Sequence, residues 1–239
     1  LSALSGATAL EALVLRDNGI VDISALASLS RLTTLDLDSN QVVDASPLCG
    51  LTRLTTVSLA FNAIEDLAGL PAVLRGGSLS LEHNHVRDLS PLADMPSVQY
   101  VHLGHNRIAD LTPLRRAEWL LGLEVPGNRI SDLSPLAGLV HLQWLDARNN
   151  RIFDLAPLSG LTQLEEVYLS GNLVSDLSPL VPVCIERLEL ADNRIVDLSP
   201  LLAVPHGAYT LIIEVNPLSL VSRQVHLPAL LASGVNVRY

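Results

Sequence analysis

The chain has no lysine, so arginine supplies all 15 of its basic residues, against 25 acidic residues. Its formal net charge at pH 7 is therefore −10. Nucleic acids and anionic membranes are bound mainly by basic surfaces. The acidic balance argues against both as the main partner, and we predict no nucleic-acid binding.

Aromatic residues are scarce, at 3% of the 239 residues, although hydrophobic residues make up 49%. The core must therefore be largely aliphatic, which suits stacked layers of similar shape better than one large globular core. No hydrophobic run is long enough to cross a bilayer, and no secretory signal is visible. We predict no membrane insertion.

Cysteine is also rare, with Cys49 and Cys184 alone. They fall in the second and the ninth of the repeats described below. At about 4.8 Å for each strand step they would lie roughly 30 Å apart, too far for a disulfide bond. We expect two inert, half-buried thiols.

What the chain does have is a regular spacing of asparagines. Eight of them follow one another at 22 residues, and two more follow after 21 and 23 residues: Asn18, Asn40, Asn62, Asn84, Asn106, Asn128, Asn150, Asn172, Asn193 and Asn216. The unit around them reads L-x-x-L-x-L-x-x-N-x-I-x-D-L-S-P-L-x-x-L. A period kept over this length is typical of stacked repeats.

Each part of the unit predicts a local structure. The alternation at Leu35 and Leu37 predicts a short strand with one buried face, and stacking the units pairs such strands in parallel. A buried asparagine requires hydrogen bonds from its amide to nearby backbone, so ten of them predict a ladder. The aspartate before Leu-Ser-Pro is a capping residue, and proline suits the first turn of a 3₁₀ helix.

These residues resemble the leucine-rich repeat family, in the 22-residue class of bacterial internalins and of a eukaryotic phosphatase regulatory subunit. The resemblance covers almost the whole chain. It implies an α/β fold: a leucine-rich repeat solenoid, coiled as a right-handed curved superhelix, with a parallel β-sheet on the concave face and 3₁₀ turns on the convex face. It also favours a bacterial cell-surface or secreted setting, with the cytoplasm as the alternative.

We predict two domains, a solenoid of about ten repeats over residues 1–217 and a C-terminal cap over residues 218–239. Residues 1–7 resemble the tail of a repeat whose strand is missing, so we expect an excised fragment that lacks an N-terminal cap. In the cap, Pro228 predicts a helix start, Gly234 its end, and residues 235–239 a last strand. Gly76 replaces a leucine of the fourth repeat and predicts a distorted turn there.

Catalytic motifs are missing from the sequence. It contains no phosphate-binding glycine loop after a strand, no Cys-x-x-Cys and no His-Glu-x-x-His. We therefore predict a protein that is not an enzyme and has no cofactor.

Candidate binding residues are the variable positions of the strands, which point away from the core. Aromatic and ionisable residues concentrate at these positions in the fifth to eighth repeats. Solvent-facing tyrosine and tryptophan are typical of interfaces. The predicted partner-binding residues are Tyr100, His102, His105, Glu124, Trp144, Asp146, Arg148 and Tyr168, with the three aromatic side chains rimming a shallow pocket whose floor holds Glu124 and Asp146.

Three functions are compatible with such a surface. The first is recognition of a protein or peptide of basic or mixed charge by a monomeric chain. The second is a structural spacer that holds neighbouring domains apart. The third is a carbohydrate-binding surface, in which Trp144 and Tyr168 would stack on a sugar.

Histidines form a separate cluster. His83 and His105 occupy equivalent positions of adjacent repeats, about 5 Å apart, with His85 and His102 nearby. Such a group could hold Zn²⁺, or it could be an exposed, pH-sensitive part of an interface. The sequence leaves both open, and we assign no metal ligand.

Overall fold

The computed structural model describes residues 1–68, 70, 74, 76–95, 97–204 and 209–239. The chain divides into two compact units, Leu1–Leu120 and Leu121–Tyr239, each a stack of repeat coils. The first unit contains β1 (Ala12–Val14), β2 (Thr34–Asp36), β3 (Thr56–Ser58), β4 (Ser78–Ser80) and β5 (Tyr100–His102). The second contains β6 (Gly122–Glu124), β7 (Trp144–Asp146), β8 (Glu166–Tyr168), β9 (Arg187–Glu189), β10 (Thr210–Ile212) and β11 (Asn236–Arg238).

Within each unit the neighbouring strands are parallel and paired in register. In the first unit Leu35 of β2 lies between Leu13 and Val57. In the second unit Val167 of β8 lies between Leu145 and Leu188. Equivalent positions of successive repeats are therefore direct neighbours, as the leucine-rich repeat fold requires.

The core of each coil is made of the fixed aliphatic positions. Leu32, Leu35, Leu37, Leu48 and Leu51 of the second repeat are all fully buried. The central residue of each three-residue strand points into this core, and the two outer residues point away from it. The predicted parallel strands and leucine-rich repeat class are confirmed.

The predicted asparagine ladder is present in both units. Asn40 Nδ2 donates to Leu15 O of the preceding coil and to Leu37 O of its own coil, and Asn40 Oδ1 accepts from the N–H of Ile20. Asn150 makes the equivalent bonds to Val125 O and Ala147 O and accepts from Ile130 N–H. Each of these amides satisfies buried backbone groups of two successive coils.

A short 3₁₀ helix lies at Ser2–Leu4, and further ones follow the repeat aspartates: Ser24–Ser28, Ser46–Leu48, Ser90–Asp94, Thr112–Arg116, Ser134–Leu136, Ala156–Leu158, Ser178–Leu180 and Ser199–Ala203. Asp44 Oδ1 accepts the N–H of Ser46, the first residue of its helix, at 2.8 Å, and Asp44 Oδ2 accepts the Ser46 hydroxyl at 2.9 Å. These bonds lower the pKa of Asp44, the serine hydroxyl contributing most. Asp44 thus bonds the first residue of its helix, as predicted, but from one position before the N-cap residue Ala45.

Two local departures from the repeat are visible. Leu4, Leu10 and Leu13 of the first coil are only half-buried, unlike their equivalents in later coils. In the fourth repeat Gly76 has φ +65°, and a Cβ at Gly77 would lie 1.6 Å from Thr55 O. Glycine is required at residue 77 because the backbone of the preceding coil occupies that space; part of the predicted distorted turn lies outside the described residues.

The last residues form a π-helix (Ser222–His226), the helix α1 (Leu227–Ala232) and β11. Pro228 stands in the first turn of α1, and Gly234 follows the helix with φ +94°. The π-helix was not predicted. Ser222 is fully buried there, where its hydroxyl donates to Val196 O and accepts from Leu198 N–H.

Two further predictions have a result in the structure. Cys49 and Cys184 are free thiols, but both are exposed, so the prediction of half-buried thiols was wrong. They lie on turns outside the strands, where the repeat core does not cover them. In the described part of the chain no helix is both long and apolar enough to span a membrane.

Candidate functional site

Four positions of each repeat face outward next to the buried leucines: six, four, two and one residues before the asparagine. The last of these adopts the left-handed backbone region in both units, at Asp17, Ser39, Phe61, His83, His105, Gly127, Asn149, Gly171, Asp192 and Val215. Few residues other than glycine and asparagine adopt it without cost. The chain turns away from the strand at this residue, which sets its side chain on the edge of the strand surface.

Three predicted site residues belong to the first unit. Tyr100 begins β5 and is exposed, and His102 ends the same strand half-buried. His105 lies on the edge at φ +56° and is exposed. All three face away from the core, at positions flanked by small residues such as Ser78 and Ser80 of β4.

The exposed edge of the first unit carries a ladder of stacked rings, Phe61, His83 and His105. Successive ring centroids are 4.2 Å apart and the planes differ by 13° and 15°. Parallel rings direct their nitrogen lone pairs side by side and not toward one ion, so this pair does not have the geometry of a zinc site. Partial burial, and then the neighbouring His105, lower the pKa of His83.

Five predicted site residues belong to the second unit. Glu124 ends β6, Trp144 begins β7, and Tyr168 ends β8, each half-buried. Asp146 ends β7 and is buried, with 3% of its surface exposed. Arg148 binds Asp146 through Nη2 at 2.6 Å and Nε at 3.0 Å. Asp146 therefore faces Arg148 and orients it.

Tyr168 is the centre of a charged cluster that we call the Tyr168 cluster: Asp146, Arg148, Glu166, Tyr168, Arg187 and Glu189. The guanidinium carbons of Arg148 and Arg187 lie 5.3 and 5.7 Å from the Tyr168 ring centroid, from the repeats on either side. Each arginine is held in turn by a carboxylate, Asp146 or Glu189.

The hydroxyl of Tyr168 donates a hydrogen bond to Glu166. Burial, and then this bond, raise the pKa of Tyr168 to about 12. The phenol therefore stays protonated at any physiological pH, and the ring keeps one orientation. Cation–π contacts on both sides and paired arginines give the cluster a fixed geometry before any partner binds.

Arg187, Glu189 and Glu166 were missed as functional residues. They occupy the same outward positions as the predicted residues. Arg187 and Glu189 lie on β9, beyond the fifth to eighth repeats where the prediction placed the site, whereas Glu166 lies on β8 within them and was not selected. The signal that could have found them is the alternation of charge in register, since Glu166 pairs with Arg187 and Tyr168 with Glu189 across β8 and β9.

A serine, a histidine and an aspartate meet near the C-terminal end of the second unit. His226 Nδ1 lies 3.3 Å from Ser222 Oγ and 3.2 Å from Asp197 Oδ1. A catalytic triad uses opposite ring nitrogens for these two contacts and needs an accessible serine. Here one nitrogen makes both contacts and Ser222 is fully buried, so the group fastens the π-helix to the preceding coil.

Comparison with known proteins identifies the family. A model described as "Leucine Rich repeats (2 copies)" matches residues 8–50, 31–72 and 140–182. Internalin C2 of Listeria monocytogenes is 33% identical over 73% of this chain and 78% of its own, with a TM-score of 0.69. The chain belongs to the leucine-rich repeat family. Its 22-residue repeats place it in the internalin-like class.

Two further structures extend the likeness. An internalin, inlF, of the same species is 26% identical over 98% of this chain and 81% of its own, with a TM-score of 0.64. The ectodomain of the Arabidopsis thaliana receptor kinase GASSHO1/SCHENGEN3, in complex with CASPARIAN STRIP INTEGRITY FACTOR 2, is 20% identical over 86% of this chain and 27% of its own, with a TM-score of 0.70. That second likeness shows the fold alone. No curated protein sequence matches the chain.

The family assignment indicates which class of function this chain can have. Leucine-rich repeat domains are scaffolds used for protein–protein interaction, and they are typically not enzymes. The outward residues of the strands differ from one repeat to the next.

Proposed function

We propose that this chain is a non-catalytic binding domain that recognises a protein or peptide of basic or mixed charge on its strand surfaces, with the Tyr168 cluster as the main anchor. The observation that carries the proposal is the Tyr168 ring held between Arg148 and Arg187, each fixed by a carboxylate. Tyrosine and arginine dominate binding energy at interfaces, and groups fixed before binding lose little entropy.

The remaining predicted residues belong to the same proposal. Trp144 lies beside Glu166 in register and adds apolar area next to the cluster. Glu124 adds a carboxylate on the strand before Trp144. Tyr100, His102 and His105 form a second set in the first unit, and their part in a common surface is proposed from the sequence.

The cluster favours a peptide over a sugar. A sugar stacks on a bare aromatic face, whereas the Tyr168 ring has a guanidinium from the repeat on each side. Paired arginines and carboxylates instead match the backbone and mixed side chains of a polypeptide. The plant receptor ectodomain shares this fold and was solved with a named partner, which supports a binding use of such surfaces.

A random peptide display library and a glycan array test the proposal against its alternatives. We expect peptides enriched on the wild type to lose about tenfold or more in affinity on Tyr168→Ala or Trp144→Ala. Phe153→Ala, an exposed ring outside the strand surfaces, is the matched control and should retain full affinity. A glycan hit lost with Trp144→Ala would instead support carbohydrate binding, and no hit in either screen would support a spacer.

The setting is proposed from the family. Similarity to internalins favours a bacterial cell-surface or secreted protein, with the cytoplasm as the alternative. We also propose that the chain is monomeric and binds no nucleic acid, given its charge of −10. Light scattering after size exclusion tests the first point, and a mobility shift with duplex DNA at low salt tests the second.

A further inference from the structure

An apolar groove lies at the C-terminal end of the second unit, between the tenth coil and α1. Its volume is about 510 Å³, within the usual range for small-molecule sites. The apolar walls come from the tenth coil, from α1 and from the last residue: Ile213, Val215, Leu218, Leu227, Leu231 and Tyr239. Two polar side chains, Asn216 and Arg223, complete the lining.

The groove exists where the repeat pattern stops. In the earlier repeats the Asp-Leu-Ser-Pro-Leu turn follows the asparagine and delivers a buried leucine, such as Leu180 or Leu201. After Asn216 the chain continues directly with Pro217, and no such turn forms. The cap covers the tenth coil with a helix in place of the missing turn, which leaves the groove between the two.

Of the two polar lining residues, only Arg223 is available to a ligand. The Asn216 amide donates to Leu190 O and Ile213 O and accepts the N–H of Ile195, so it is used within the ladder. In the parts of the chain that the structure describes, no carboxylate lies within salt-bridge distance of Arg223. The groove therefore presents one unpaired guanidinium beside apolar walls.

Two apolar side chains at the rim of the groove are largely exposed to solvent. Val215 is 79% exposed, and Tyr239 is 67% exposed. Val215 also adopts φ +59°, a genuine outlier for a β-branched residue, whereas the other repeats have aspartate, serine, asparagine, glycine, phenylalanine or histidine there. Strain of this kind persists where the surroundings hold it, and it is enriched at ligand sites.

We propose that this groove binds a small aliphatic carboxylate, of the medium-chain fatty-acid type. The aliphatic chain lies against Val215, Leu227 and Leu231, and its burial removes exposed apolar surface from water. The carboxylate accepts charge-assisted hydrogen bonds from the Arg223 guanidinium. This site is separate from the Tyr168 cluster and does not rest on the function proposed for that cluster.

Octanoate is the probe, with 1-octanol and octylamine as its neutral and cationic counterparts. Titrations followed by methyl NMR should show saturable shifts of Val215, Leu227 and Leu231 with octanoate, and much weaker binding of the other two. Arg223→Gln should weaken octanoate binding about tenfold or more, while Arg194→Gln, an exposed arginine of the same unit, should leave it unchanged.

A second variant separates binding from folding. Val215→Gly removes the rim side chain and relieves the left-handed strain, so it should fold at least as stably as the wild type and bind octanoate more weakly. Three outcomes would overturn the proposal. They are equal affinity for octanoate and octylamine, unchanged octanoate affinity in Arg223→Gln, and no saturable binding up to about 10 mM. A dimer that octanoate dissociates would overturn it too, since the occupant would then be a second copy of the chain.

Discussion

In the first unit, three of the residues on the edge beside the asparagines have rings, Phe61, His83 and His105, stacked on one another. In the second unit, the prominent outward groups are ion pairs arranged around one ring, that of Tyr168. The scaffold beneath is the same in both: three-residue strands, an asparagine ladder and aspartate-capped turns. The comparison shows that one period can support two chemically different surfaces, and we expect the first to respond mainly to pH and the second mainly to salt.

The largest expected effect tests the shared scaffold. Asn62→Ala in the first unit and Asn150→Ala in the second should each lower the free energy of unfolding by about 3–5 kcal/mol. Each change leaves one backbone N–H without its partner, Val42 N–H for Asn62 and Ile130 N–H for Asn150. It also removes one hydrogen bond from each of three carbonyls, which keep a second donor. Urea denaturation measures both. If the two losses of unfolding free energy differ by more than a factor of two, the ladders of the two units are not equivalent.

The next effect is the loss of stability when either of two glycines is replaced by alanine. Gly77→Ala should cost about 3 kcal/mol, because its Cβ would meet Thr55 O, a backbone atom that cannot move without shifting its coil. Gly171→Ala in the second unit should cost about 1 kcal/mol, since its Cβ would meet the movable Asn149 side chain, although φ is +72°. Thermal unfolding of the two variants measures which one loses more stability. A larger loss for Gly171→Ala than for Gly77→Ala would contradict this interpretation of the packing.

A smaller effect compares two ion pairs. Asp146→Ala should lower the free energy of unfolding by about 1–2 kcal/mol, less than for a fully buried pair because Arg148 is half-exposed. Asp36→Ala in the first unit loses a pair with the more exposed Arg16 and should cost less than Asp146→Ala. Raising the salt concentration to 1 M should reduce the difference between the stability losses of the two variants. Equal costs at low salt would remove the contrast between the two surfaces.

The smallest effect concerns the ring ladder. The folded-state pKa of His83 is lowered, so the unfolded chain takes up a proton first as the pH falls through about 6.5. Stability is therefore highest above that pH and decreases below it, by a few tenths of a kcal/mol because water screens the exposed ring. NMR titration of the imidazole protons should give a higher His83 pKa in His105→Gln than in the wild type. An unchanged His83 pKa would show that the stack has no effect on it.

The period alone predicts most of the fold. Leu35, Asn40 and Asp44 have the buried, ladder and capping roles that their spacing indicates, because a repeat imposes the same surroundings on each copy. The outward contacts were not predictable in this way. Whether Arg148 turns to Asp146 or to solvent depends on side-chain rotamers and on the next coil, which the period does not specify.

The ends of the pattern were also hard to read. Pro228 and Gly234 indicate the helix of the cap, but nothing in the sequence marks the π-helix before it or the groove beside Arg223. The π-helix is fastened to the ninth coil, where Ser222 bonds Val196 O and His226 contacts Asp197. The site residues of the first and second units were predicted as one pocket from register alone, and this common pocket stays a prediction.

The asparagine ladder has a consequence for how such a chain changes over generations. Each amide links only its own coil and the one before it. Joining two different repeats at equivalent positions therefore produces a chain in which the ladder is still continuous. A loss or gain of a whole period rejoins the ladder, and a change of one residue is tolerated, since Asn193 and Asn216 keep their ladder bonds at spacings of 21 and 23 residues. Length is therefore inherited in whole coils, and the surface can be reshuffled by recombination while the interior stays intact.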